Sequence, residues 1–150
     1  PSVLLVEDAA SQARLIKQYL KNEMINLSHV DTGTAAKASI TANPPDLILL
    51  DLKLPDMEGQ EILRWIKQEG FTSSVVIITG HSSVGIAVEM MRVGAKDFIE
   101  KPFIANRLQT TVRNLLEQSR LKNLVNVYQN TFERERYHGF IGSSLPMQAC

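Results

Sequence analysis

The chain has 150 residues, of which 44% are hydrophobic and 21% charged, a composition that excludes a disordered protein and suffices for one domain with a full core. Its 16 Lys and Arg residues balance 16 Asp and Glu residues, so net charge gives no reason to expect binding to nucleic acid or to a membrane surface. No apolar run approaches the roughly 20 residues of a membrane-spanning helix, and the one cysteine, Cys150, excludes an internal disulfide, so we expect a cytoplasmic protein.

Short apolar runs alternate with segments of helical period along the chain. Runs of four to five apolar residues are typical of strands that are buried on both faces. The predicted strands cover residues 2–6, 26–31, 47–51, 75–79 and 97–100, of which the second is the weakest. The predicted helices cover residues 9–22, 34–42, 59–69 and 83–93, and a longer one begins near residue 104. This alternation predicts an α/β fold with a five-stranded, doubly wound parallel sheet.

The apolar stripes of the helices predict which of their residues face the sheet. The stripe of the helix at 59–69 includes Trp65, which we expect to lie in the core rather than in a ligand site. The other predicted core residues of the first, third and fourth helices are Ala13, Ile16, Leu20, Ile62, Leu63, Ile66, Ile86, Met90, Met91 and Val93.

The last helix is longer than the sheet needs. The residues of its first stripe, which can cover one side of the sheet, are Ile104, Leu108, Val112, Leu115 and Leu116. A second stripe runs from Leu121 to Phe132 and needs a partner of its own, so we expect residues 121–138 to pair two copies of the chain through a coiled coil. The alternative is that this segment folds back on the domain or frays.

Polar residues of related chemistry stand at the carboxyl ends of four predicted strands. Glu7 and Asp8 follow the first, Asp51 ends the third, Thr79 ends the fourth and Lys101 follows the fifth. In a doubly wound sheet, ligands bind beyond these ends, where the strand order reverses. The sequence therefore predicts one site with three carboxylates, a hydroxyl and an ammonium group.

Three carboxylates at one edge repel one another, and a hard divalent cation is the usual resolution. Mg²⁺ prefers oxygen ligands, so Asp8 and Asp51 are the direct candidates, Glu7 can act through water, and a backbone carbonyl after Asp51 can complete the set. A carboxylate beside Mg²⁺ can also accept a phosphoryl group, whose oxygens Lys101 and Thr79 would bind.

Other interpretations of these acids stay open on the residues alone. Acids at strand ends are often helix N-caps, and Asp8, directly before the first helix, suits that role. An enzyme with an aspartyl nucleophile or a flavin-binding flavodoxin relative would use the same edge. The Asp-x-Asp of one phosphatase class is absent, since Leu52 and Lys53 follow Asp51, and residues 7–10 lack the glycines and hydroxyls of a phosphate loop.

Four motifs together resemble the receiver domain of bacterial two-component response regulators over residues 1–120. The motifs are Leu4-Leu5-Val6-Glu7-Asp8, Asp51-Leu52-Lys53-Leu54-Pro55-Asp56-Met57-Glu58-Gly59, Thr79-Gly80-His81 and Lys101-Pro102-Phe103. The resemblance implies a CheY-like, flavodoxin-like sheet of strand order 2-1-3-4-5. It implies that Asp51 is the phosphoacceptor and that its partner is a sensor histidine kinase or a histidine phosphotransfer protein.

The same resemblance implies how the cation is held. Its ligands would be Asp8, Asp51 and the backbone carbonyl of Lys53, with Glu7 acting through water. Glu7 is a small departure, because Asp is common at that position. The bond before Pro102 matches a position that is usually cis, which an X–Pro bond allows at modest cost.

The resemblance also implies how phosphorylation is read out. Thr79 and Lys101 would bind the phosphoryl oxygens, and Phe98 occupies the position of an aromatic switch that turns inward when Thr79 moves. The alternative is that Phe98 is an ordinary half-buried aromatic residue of its strand. Lys53 and His81 match positions that flank the phosphoryl group and tune its lifetime; the alternative is that both side chains face solvent.

The end of the chain carries a second resemblance. Residues 140–147 are similar to the opening of the AAA+ domain of sigma-54-dependent activators, which implies a regulator of the NtrC class, and within it one of quorum sensing. The expected organisation is a receiver domain at 1–120, a helical linker at 121–138 and the first residues of an AAA+ domain at 139–150.

This organisation implies binding partners for the full-length protein and a role for its receiver domain. The full-length protein would bind ATP, DNA and sigma-54 RNA polymerase. No Walker A pattern occurs in the 150 residues, so we expect a receiver and not an ATPase or another enzyme. The alternative function is a degenerate receiver that serves only as a dimerisation scaffold.

Overall fold

The computed structural model describes residues 1–80 and 83–121, and each predicted strand and helix is present there. The strands are β1 (Ser2–Val6), β2 (Asn26–Val30), β3 (Leu47–Asp51), β4 (Ser74–Thr79) and β5 (Asp97–Glu100). The helices are α1 (Ala10–Leu20), α2 (Gly33–Ala42), α3 (Gly59–Gln68), α4 (Val84–Val93) and α5, which begins at residue 105 and is described to residue 121. Residues 1–116 form one compact unit, and of a second unit the structure describes residues 117–121.

All five strands pair in parallel in the order β2-β1-β3-β4-β5, which confirms the predicted fold class and strand order. The chain runs outward from β1 to β2 and then returns to β3 on the other side of β1. The strand order therefore reverses between β1 and β3, and this point is where a doubly wound sheet binds its ligands.

Both faces of the sheet are covered by helices, and the central strand β3 is buried at all five positions. One face packs against α2, α3 and α4, the other against α1 and α5. Successive residues of a strand point to opposite faces, so within β1 Leu4 and Val6 join the first cluster while Val3 and Leu5 join the second. Each buried Val, Leu or Ile side chain contributes roughly 1.5–3 kcal/mol by leaving water.

The predicted face of α4 is wrong in part. Ala87 and Met90 are buried against the sheet, whereas Ile86 and Met91 are 38% and 37% exposed. The small side chain of Ala87 lets α4 lie close to the sheet. The helix has more apolar residues than this contact can bury, so some of them remain exposed. In the first stripe of the last helix, Ile104 precedes the helix and is 69% exposed, while the others pack on the sheet.

The core prediction for Trp65 agrees with its position on α3. The ring is half-buried and packs against the first cluster, 5.4 Å from the ring of Phe71 and 5.6 Å from the ammonium of Lys37. His81, the part of the predicted coiled coil beyond Leu121 and the predicted AAA+ opening lie outside the described residues. Within the ranges 1–80 and 83–121, no helix has the length and apolarity needed to cross a membrane.

Candidate functional site

The register of the sheet brings the predicted site residues to one edge. Val6 lies opposite Leu50, so Glu7 and Asp8 emerge beside the end of β3, where Asp51 stands. Thr79, the last residue of β4, lies opposite Glu100 of β5. The next residue, Lys101, donates its backbone N–H to the carbonyl of Thr79 at 2.7 Å, which holds the β5 end against β4.

The three predicted acids form one cluster. Glu7, Asp8 and Asp51 each offer a carboxylate oxygen, and these oxygens lie within 4.8 Å of one another. Glu7 and Asp51 are buried, with 1% and 7% of their surface exposed, while Asp8 is exposed at the rim. Clustered carboxylate oxygens are the ligands that Mg²⁺ prefers, so the residues present fit a divalent cation.

Lys101 ties the two buried acids together. Its Nζ lies 3.2 Å from Glu7 Oε1 and 3.4 Å from Asp51 Oδ2. The bond between Lys101 and Pro102 is cis, as predicted. An ammonium group in this position partly balances two buried charges and also stands where the charge of a bound anion would need neutralisation.

The proton affinity of Glu7 reflects this crowding. Burial raises the pKa of Glu7 to about 7, together with the hydrogen bond to Asp51 and the negative charge of Asp51. The charge of Lys101 and the backbone N–H of Ala9 lower this pKa. Near neutral pH, Glu7 is therefore partly protonated. A divalent cation would displace that proton, because it relieves the same repulsion.

Asp8 is not a helix cap. The N-cap of α1 is Ala9, whose side chain makes no capping hydrogen bond. The carboxylate of Glu7 accepts a hydrogen bond from the backbone N–H of Ala9 at 3.2 Å instead. The N-cap interpretation of Asp8 is therefore wrong, and its carboxylate is left facing the site.

The loop after Asp51 is closed at its base. The N–H of Lys53 donates to Asp51 Oδ1 at 3.1 Å, and the N–H of Gly59 donates to the carbonyl of Leu52 at 2.8 Å. A Cβ at Gly59 would lie 2.5 Å from the carbonyl oxygen of Asp51, so glycine is needed there. In the sequence, Gly59 stands out only as the last residue of a motif; its place at the start of α3, directly after the loop, is the signal for this role.

Thr79 and Phe98 stand on neighbouring strands. The Thr79 hydroxyl is buried and donates to the carbonyl of Gly80 at 3.1 Å, so it bonds to its own strand end rather than to Asp51. Phe98 is half-buried and packs against the first core cluster, and its carbonyl accepts a hydrogen bond from Arg107 at 3.0 Å. The side chain of Lys53 is exposed.

Comparison with known proteins points to one family. The family model described as the response regulator receiver domain matches residues 3–113. The regulatory protein LuxO of Vibrio cholerae is 46% identical over 146 residues, which are 97% of this chain and 31% of LuxO. The C4-dicarboxylate transport transcriptional regulatory protein DctD of Pseudomonas aeruginosa is 33% identical over 97% of this chain and 32% of its own.

A solved structure agrees with this match. The crystal structure of the LuxO signal receiver domain from Vibrio parahaemolyticus has a TM-score of 0.81 and 50% identity, covering 83% of this chain and 96% of that one. The chain spans about a third of the length of the curated relatives it matches.

Proposed function

The chain belongs to the family of response regulator receiver domains, and we propose that it is the phosphorylation-controlled switch of an NtrC-type transcription regulator. Asp51 accepts the phosphoryl group from a phosphohistidine on a sensor kinase or a phosphotransfer protein. The observation that carries this proposal is the buried carboxylate of Asp51, which clusters with the two acids after β1 and lies 3.4 Å from the ammonium of Lys101.

The transfer makes one bond and breaks one. A carboxylate oxygen of Asp51 attacks phosphorus, the phosphorus–nitrogen bond of the donor breaks, and its electron pair returns to the imidazole, leaving an acyl phosphate on Asp51. Lys101 neutralises charge on the phosphoryl oxygens, and the Thr79 hydroxyl turns from Gly80 to donate to one of them. Positioning and charge neutralisation account for most of the catalysis in such transfers.

Asp8, Asp51 and the carbonyl of Lys53 would hold Mg²⁺, with Glu7 acting through water. When bound, this ion supplies positive charge for the phosphoryl oxygens in transit. The carboxylate cluster and the raised pKa of Glu7 support this assignment, since both mark a site with more negative charge than Lys101 balances.

The output of the switch is the face formed by α4, β5 and the start of α5. Movement of Thr79 toward the phosphoryl group frees space next to β5, and Phe98 turns into it, which repacks this face. The face holds an open groove of about 580 Å³ lined by residues 97–104 and Arg107. Lys53 and His81 tune how long the phosphoryl group survives.

The regulator is proposed to act in the bacterial cytoplasm as a homodimer paired through residues 121–138. Its receiver controls an AAA+ ATPase that binds ATP and sigma-54 RNA polymerase, and a DNA-binding domain. Similarity to LuxO supports quorum sensing as the signal, and similarity to DctD supports transcriptional control.

Labelling with a small phosphodonor such as acetyl phosphate tests the proposal. We expect Mg²⁺-dependent incorporation of one phosphoryl group, lost in Asp51→Ala and kept in Asp31→Ala, an exposed acid outside the cluster. Incorporation that persists in Asp51→Ala would refute the assignment of Asp51. A wild-type chain that takes up neither phosphate nor beryllofluoride would instead be a dimerisation scaffold.

A further inference from the structure

The carboxylate of Asp56 bonds to the N-terminus of a helix more than twenty residues away. Its Oδ1 accepts from the backbone N–H of Gly33 at 2.8 Å, and its Oδ2 accepts from the N–H and the hydroxyl of Thr34 at 2.9 and 2.7 Å. Helix α2 has no acidic residue in its own first turn, and the side chain of its N-cap Thr32 accepts from the N–H of Ala35. Asp56 therefore satisfies two N–H groups that the helix leaves unpaired.

The charge of Asp56 suits this position. The hydroxyl of Thr34 and the N–H groups of Gly33 and Thr34 lower the pKa of Asp56 to about 2, so it is ionised at neutral pH. A negative charge at the N-terminus of a helix is also favoured by the helix dipole. The hydrogen bonds of Asp56 therefore attach the loop to the first turn of α2.

The next residue forms a second contact with the same helix. Met57 is half-buried and packs against the first core cluster. A Cβ at Gly33 would lie 2.3 Å from Met57 Cγ, so the absent side chain of Gly33 makes room for Met57. The tip of the loop thus lies directly on the first turn of α2.

The other end of this loop is the candidate metal site. The loop covers residues 52–58, and the bonds at Leu52 and Gly59 close its base. Lys53 and Glu58 pair as an isolated antiparallel bridge, so the two arms of the loop run side by side. The position of the Lys53 backbone therefore depends on both the closed base and the docked tip.

We propose that Asp56 is a positioning residue for the cation: by fixing the loop tip on α2, it holds the Lys53 carbonyl where a divalent ion bound by Asp8 and Asp51 can reach it. The inference rests on the proposed function of the strand-end site. Asp56 touches neither the cation nor the phosphoryl group, and it acts through the loop backbone. Its loss is expected to weaken cation binding without slowing phosphoryl transfer once the cation is saturating.

Two measurements on the same variants test this inference. Mn²⁺ binding, followed by electron paramagnetic resonance, gives the cation affinity, and acetyl phosphate labelling over a Mg²⁺ titration gives the half-saturating concentration and the maximal rate. We expect Asp56→Ala to lower cation affinity about tenfold, the size typical of outer-shell partners of a metal site. Its maximal rate at saturating Mg²⁺ should stay within about twofold of wild type, because Asp51, Thr79 and Lys101 are untouched.

Two further variants separate positioning from stability. Thr34→Val loses one of the three bonds to Asp56 and should lower cation affinity less, in the same direction; it decides the question if Asp56→Ala does not fold. Thr32→Ala removes the other cap of α2 without touching the loop, so it should lower the melting temperature and leave cation affinity unchanged.

Unchanged Mn²⁺ affinity in folded Asp56→Ala would overturn this inference alone. An equal loss of affinity in Thr32→Ala would also overturn it, since the effect would then follow from helix stability. A wild-type chain that binds no Mn²⁺ would overturn the proposed function and this inference with it.

Discussion

At the scale of single residues, the site is defined by two buried carboxylates that share one ammonium group. Glu7 and Asp51 are both buried, and Lys101 lies within 3.4 Å of each. The single positive charge of Lys101 balances one of the two carboxylates. The other carboxylate must either be protonated or be neutralised by a bound cation. The raised pKa of Glu7 reflects this imbalance of charge, which a bound divalent cation would relieve.

Replacing Lys101 should show its share in phosphoryl transfer. We expect Lys101→Ala to slow labelling by acetyl phosphate on the order of 100-fold, because removal of one preorganised charge-stabilising donor typically has that effect. The exposed Lys96, replaced in the same way, is the matched control and should label at the wild-type rate. Comparable labelling of the two variants would exclude a direct role for the Lys101 ammonium.

The pKa of Glu7 makes stability depend on pH. In the folded chain this pKa is about 7 against 4.5 for the unconstrained side chain, so between these values the folded state holds a proton that the unfolded state has lost. In the absence of divalent cations, this group's contribution should therefore fall by about 2–3 kcal/mol as pH rises from 4.5 to 7.

Chemical denaturation with chelator present measures this pH dependence. Glu7→Gln cannot titrate, and its free energy of unfolding should decline less over the same interval. Added Mg²⁺ should flatten the wild-type curve, since it stabilises the charged form. Parallel curves for wild type and Glu7→Gln would show that Glu7 is not the group responsible.

At the scale of elements, backbone contacts place the loop that connects β3 to α3. The helix begins so close to β3 that only Gly59 fits beside the carbonyl of Asp51. The tip of the same loop lies on α2 through Asp56. The bond between Gly59 and Leu52 and the bonds of Asp56 to α2 thus fix β3, the loop, α2 and α3 relative to one another.

Alanine substitutions at two glycines test this close approach. In Gly59→Ala the new Cβ would lie 2.5 Å from a backbone oxygen and 2.7 Å from Leu52 Cα, so the backbone has to shift. We expect a loss of roughly 1–3 kcal/mol in urea unfolding, the usual cost of overpacking. Gly85→Ala meets open space on the exposed side of α4 and should gain roughly 0.5–1 kcal/mol. Equal effects at the two positions would contradict the contact at Gly59.

At the scale of the whole molecule, the sheet separates two cores and exposes one chemical edge. The cores bury the strands from both sides, which leaves the carboxyl ends as the place where polar groups meet. Thr79 and Phe98 lie on the paired strands β4 and β5, so the proposed movement of Thr79 would reach the face of α4 and α5 through Phe98. A sheet that is packed on both faces and carries its polar groups at one edge suits a two-state switch.

Binding of beryllofluoride with Mg²⁺ should stabilise the molecule as a whole. At about 100 times its dissociation constant, a ligand specific to the folded state adds roughly 2.7 kcal/mol, which a thermal melt detects readily. Hydrogen exchange should change in β5 and α4, while β2, at the far edge of the sheet, serves as the internal control. Asp51→Ala should give neither effect, and changes confined to residues 52–58 would contradict a switch through Phe98.

The sequence predicted the elements and the strand-end residues better than it predicted which helix residues are buried. The strands, the helices and the residues at the strand ends followed from pattern, because parallel strands of any sequence place their carboxyl ends at one edge. Helix faces were less certain: Ile86 and Met91 continue an apolar stripe, yet they face outward because Ala87 and Met90 fill the contact with the sheet. Hydrophobicity marks candidates for burial, and the available contact area selects among them.

By itself, the sequence determined the fold class, the strand order through its family motifs, and which polar residues follow the carboxyl ends of the strands. Only the tertiary structure decided that Lys101 lies between Glu7 and Asp51, that burial raises the pKa of Glu7, and that Asp56 bonds to α2. The physical reason is range. Local patterns record which elements a segment forms, whereas distances, burial and pKa values depend on groups that are remote in sequence and meet only after folding.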